Sequence, residues 1–70
     1  MIVADFVLDA HGQMFMLWSR NDRALRRLKQ LPEMKSMPPT DHVLVRRERV
    51  VEVIKQLSQE GYSIDGQQLL

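Results

Sequence analysis

Two histidines, His11 and His42, are the side chains able to act as a general base near neutral pH. Each has an aspartate close by in sequence, Asp9 before His11 and Asp41 before His42. Neighbours in sequence rarely reach the geometry in which a carboxylate orients an imidazole, so both read as surface turn or strand-start residues. Ser19, Ser36, Ser58 and Ser63 are the candidate hydroxyl nucleophiles, and none lies in a nucleophile-elbow context. A metal centre needs three or four converging ligands. Asp9 and His11 supply two at most, and the chain has no cysteine. The three glycines, at 12, 61 and 66, stand too far apart for a phosphate-cradling loop. These residues point away from catalysis, from a cofactor and from a small-molecule substrate.

The arginines are a different matter. Seven of the ten basic residues are arginine: Arg20, Arg23, Arg26, Arg27, Arg46, Arg47 and Arg49. Residues 20–49 carry nine bases against four acids, a local charge of +5, while 1–19 and 50–70 each carry −2. The rigid guanidinium fork matches phosphate or carboxylate, where a lysine offers only a point charge. Arg20, Arg23, Arg26 and Arg27 form one cluster and Arg46, Arg47 and Arg49 a second. If they share a side, they make a patch suited to nucleic-acid backbone or to an acidic protein surface. The competing expectation is a solvated helix face, the commonest fate of such a run. Overall, ten bases against nine acids is far from the charge of a dedicated nucleic-acid binder.

Seventy residues must position these groups. That length allows one domain, 1–70, and excludes a barrel enzyme, a dinucleotide-binding fold or a two-domain cleft. A domain this small buries only about 60% of the surface its unfolded chain exposes. With no disulfide to staple it, a tight core or self-association as a homodimer must supply stability. The longest uninterrupted apolar run is 14–18, too short to span a membrane, and Asp5 and Asp9 interrupt the N-terminal apolar stretch. The expectation is a cytoplasmic protein with no membrane partner.

Residues 2–8, IVADFVL, alternate as a strand, with Phe6 and Leu8 on one face. Residues 9–12 read as a turn and 13–19 as a second strand, giving a hairpin. In that second strand Met14, Met16 and Trp18 share a face opposite Phe15 and Leu17. Two apolar faces suggest a central strand covered on both sides, with the Met/Trp stripe in the core. Ser19, Asn21 or Asp22 can cap a helix over 22–31, which has Ala24, Leu25, Leu28 and Leu31 on one side. Residues 32–41 hold all three prolines and form a long loop. Met34 and Met37 within it suit an apolar contact with a partner.

Residues 42–46, HVLVR, read as a strand in preference to the opening turns of a long helix. Val50, Val53, Ile54 and Leu57 mark a second helix over 47–60, ended by Gly61. Residues 62–65 suit a last short strand, and 66–70 a frayed tail. The order β-β-α-β-α(-β) implies an α+β two-layer sandwich, with two helices on one face of a mainly antiparallel sheet. The stretch RRERVVEVIKQLSQEGYSIDGQQLL resembles the opening of a winged-helix domain, which implies a second helix starting after the turn. The element order also resembles small α/β substrate-recognition modules ahead of some helicase motors. Neither resemblance carries a motif that assigns residues.

The functional expectation is a small non-enzymatic binding module that holds nucleic-acid backbone on its arginine-rich helix face. The alternative is a protein-binding adaptor or inhibitor that docks through a sheet edge or the Met/Pro loop.

Overall fold

A computed structural model describes residues 3–33 and 41–70. Four strands and two helices follow one another as β1 (Phe6–His11), β2 (Met14–Ser19), α1 (Asp22–Leu28), β3 (His42–Arg46), α2 (Arg47–Gln59) and β4 (Ile64–Asp65). The sheet order is β3-β2-β1-β4. β2 is antiparallel to both neighbours, and β4 runs parallel to β1. This is the expected α+β fold with a mainly antiparallel sheet.

Period-two alternation decides what the sheet buries. Phe6, Leu8, Phe15, Leu17, Val43 and Val45 are all buried, and the register places them on one face. Ala24, Leu28 and Leu31 around α1, and Val50, Val53, Ile54 and Leu57 of α2, join them in a single core. Both helices therefore cover the same face. Among the described residues, nothing covers the other. The expected two-sided burial of β2 is corrected here. Phe15 and Leu17 are the core residues, while Met14 and Met16 are half-buried and Trp18 is 36% exposed on the opposite side. A side-chain period of two permits only one of the two stripes to face the helices.

The hairpin also differs from its expected form. β1 continues to His11, and the loop is Gly12-Gln13 alone, closed by the His11–Met14 pair. Gly12 has φ 63°, and among the described residues no non-glycine residue has positive φ. Glycine first and an ordinary residue second is the pattern of a type II′ turn, whose twist matches that of the strands.

Asn21 caps α1, its side-chain oxygen accepting from the Ala24 N–H at 2.8 Å. The helix stops at Leu28, short of the expected Leu31. Bonds from Gln30 N–H to the Arg27 carbonyl and from Leu31 N–H to the Leu28 carbonyl tighten its end, just ahead of Pro32. α2 ends in a Schellman motif: Gly61 at φ 93°, with Gly61 N–H donating to Ser58 and Tyr62 N–H to Leu57. No second helix follows as the winged-helix likeness implies. The chain instead adds β4 beside β1, then a 3-10 turn over Gln67–Leu69. Gly66 between them has φ 101°, and a Cβ there would collide with the Leu8 carbonyl oxygen. Only glycine lets the backbone cross β1 this closely.

Candidate functional site: the open sheet face

The arginines divide between paired and unpaired. Arg27 forms a bidentate pair with Glu60, at 2.6 and 3.0 Å. Arg49 reaches Glu33 and Glu52, each at 3.0 Å. Arg23 lies 4.2 Å over the Tyr62 ring and 3.6 Å from Asp5. The hydrogen bond from Arg27 holds the Glu60 carboxyl below its usual range, and Glu60 in turn raises Arg27. Glu33 raises Arg49 in the same way. Arg20, Arg26, Arg46 and Arg47 are exposed and make no ion pair with a described residue.

The two arginine clusters do not merge. Arg23, Arg26, Arg27, Arg47 and Arg49 belong to the helical layer. Arg46 ends β3 opposite Met14, on the face away from the helices. Arg20 follows β2, its N–H donating to the Asp5 carbonyl at 2.8 Å, and alternation puts it on the same side as Trp18. The fold thus brings one member of each cluster to the open face. Met34 and Met37 lie outside the described residues. β3 and β4 are the outer strands, and the longer of the two sheet edges is that of β3, His42–Arg46.

Register lays out the open face in three rows across β3, β2 and β1. They are His42–Trp18–Val7, Leu44–Met16–Asp9 and Arg46–Met14–His11. The Trp18 and His42 rings stand 5.7 Å apart, tilted by 42°. Asp41 lies 3.5 Å from the His42 Nδ1. A shallow depression of about 430 Å³ runs between Val7, Asp9, Trp18, Ser19, Arg20 and Asp41. His11 and His42 occupy opposite corners of this face and do not form a catalytic pair. Among the described residues, no group of three His, Asp or Glu is placed to hold a metal. No helix among them is long and apolar enough to cross a membrane.

Sequence reasoning missed Asp5, which appears there only as an interruption of an apolar run. Its carboxylate accepts from Asn21 Nδ2 at 2.9 Å and from the Ser63 N–H at 3.0 Å, and its own N–H donates to Ser63 Oγ at 3.1 Å. The Asn21 and Ser63 hydrogen bonds, with Arg23 nearby, hold the Asp5 carboxyl below its usual value against partial desolvation. This clasp ties the start of β1 to the cap of α1 and the entry to β4. The sequence signal for it is a lone acid in a β-branched run; its partner Asn21 lies sixteen residues away and only the fold brings the two together. Comparison with protein-family models, curated proteins and solved structures finds no match, so the open face is read from its own geometry.

Proposed function

We propose that this domain is a non-enzymatic, cytoplasmic module that binds nucleic acid, with the open face of its sheet as the contact surface. One observation carries the reading. Arg20 and Arg46, both without an ion-pair partner among the described residues, flank Trp18 and His42 on the sheet face that no described element covers. Guanidinium groups give phosphate contacts, and the exposed Trp18 ring gives stacking surface. The expected helix-face site loses weight because Arg23 and Arg27 are held within the fold. A second reading, docking of a protein partner, draws support from Met14, Met16 and Leu44, which give the same face a half-buried apolar floor.

Salt dependence tests the proposal. Binding of duplex and single-stranded oligonucleotides is measured at two ionic strengths. The proteins are wild type, the Arg20→Ala/Arg46→Ala double variant and an Arg23/Arg26/Arg27 triple alanine. The proposal expects binding that weakens steeply with salt, and a double variant that loses more than the triple. No binding to either oligonucleotide at low salt refutes it.

A further inference from the structure

We infer that the nucleic acid taken by this face is single-stranded, and that one of its bases stacks on Trp18 beside His42. The inference rests on the nucleic-acid reading above and narrows it to a ligand class.

The face is built for an exposed base. Trp18 is the sole tryptophan, and at 36% exposed it offers ring surface to solvent while its body packs against the sheet. A duplex turns its base faces inward, where a side chain on a sheet cannot stack on them. An unpaired base presents a whole π face, and base–aromatic stacking tolerates any base. Val7, Met16 and Leu44 continue the apolar surface around the ring.

Charge fixes how a strand would lie. Arg20 and Met14 are separated by six residues along β2, about 20 Å at 3.3 Å per residue. Arg46 stands opposite Met14. The two guanidinium groups therefore sit at opposite ends of the face, with the Trp18–His42 row between them. A strand whose base rests on Trp18 runs its phosphates toward both ends. Asp9 lies in the middle row and Asp41 beside His42. Asp41, level with Ser19, lies at the Arg20 end, while Asp9 repels phosphate from the centre of the face, which favours the base over the backbone there. A carboxylate in that position also accepts from a base's exocyclic amino group. Duplex backbone, with two rows of phosphate and no free base, gains nothing from the ring and meets the acids.

The test uses the intrinsic emission of Trp18. The full chain is titrated at low salt with oligo(dT) and oligo(dC) of about ten nucleotides, a length within the usual site size for sequence-tolerant single-strand binders, and with a duplex of equal length. Single strands are expected to quench Trp18 emission and to bind more tightly than the duplex. Trp18→Ala is expected to weaken single-strand binding roughly 5- to 150-fold. Trp18→Phe keeps a ring and is expected to retain more affinity than alanine, with circular dichroism showing both variants folded. Removing Arg20 and Arg46 together is expected to flatten the log–log salt slope by about 1.4. Single-strand binding without a change in Trp18 emission overturns the inference. So does equal or tighter duplex binding, and either result leaves the nucleic-acid reading standing. No binding of any oligonucleotide overturns both, as does quenching by an apolar protein partner alone.

Discussion

Replacing Asp5 by alanine removes the acceptor that joins three elements. Two short hydrogen bonds to a charged acceptor are lost, from Asn21 at 2.9 Å and the Ser63 N–H at 3.0 Å, together with a longer one from Ser63 Oγ at 3.4 Å. Each such bond contributes about 1.5–3 kcal/mol when shielded. The Asp5 side chain is 18% exposed, so water replaces part of what is lost. The Asn21 side chain also loses the contact that steadies its cap of α1. A net cost of about 2 kcal/mol follows. For a domain of this size that lowers Tm by roughly 8–16 °C. Urea denaturation followed by circular dichroism measures it, and a midpoint equal to wild type refutes the clasp.

The same carboxylate sets a pH dependence whose sign is fixed. Its folded pKa lies below the ordinary value of 3.8, with the Asn21 hydrogen bond the leading cause. At neutral pH Asp5 is ionised in both folded and unfolded chains, and the full stabilisation is present. As pH falls below the unfolded value the unfolded chain takes up the proton first. The contribution is then lost progressively toward the folded value. The stability gap between wild type and Asp5→Asn should hold from pH 7 to about pH 5 and narrow below about pH 4. A gap that is unchanged down to pH 3 contradicts the assigned hydrogen bonds.

Two further substitutions probe the fold on which the open face depends. Leu17→Ala should cost about 2–5 kcal/mol and Met16→Ala under about 1 kcal/mol, because the first empties the core and the second trims the uncovered side. Equal costs in chemical denaturation would mean that both faces of β2 are covered, and a larger cost at Met16 that β2 is turned the other way. Gly66→Ala should destabilise more than Gly61→Ala. Both have positive φ, worth about 1–3 kcal/mol of strain, but only the first adds a collision with the Leu8 carbonyl. Comparing the two denaturation midpoints decides it.

The parts of the fold legible in the sequence are those set by local periodicity. Val50, Val53, Ile54 and Leu57 announced α2, Gly61 announced its end, and Val43, Leu44 and Val45 favoured a strand over a helix. What escaped depends on contacts between distant segments. In β2 both stripes are apolar, so period two alone could not say whether Phe15 or Met16 faces the helices; Val43 and Val45 from a strand over twenty residues away decide that. The turn expected at 9–12 begins too early because Asp9 has turn chemistry, whereas Gly12 closes a tighter loop. Of the candidate site, the arginines were visible as types and clusters, and their partners were not.

Those partners explain where the charge ends up. The sequence is basic in its middle and acidic at both ends, and the fold lays the ends onto the middle. Asp5 comes from the first acidic segment to meet Arg23, and Glu60 from the second to meet Arg27. Glu52 comes from the second as well and shares Arg49 with Glu33. The run of guanidinium groups that looks like an outward stripe on α1 is therefore partly consumed in holding the domain together. An arginine with an acid within reach contributes little to attracting a polyanion, since releasing it for a phosphate first breaks a bond already made. The weight falls on arginines with no ion-pair partner among the described residues. Arg20 and Arg46 are the two of these that share a surface with an exposed tryptophan. They come from different clusters, so charge density along the chain does not single them out, and pairing across the sheet does.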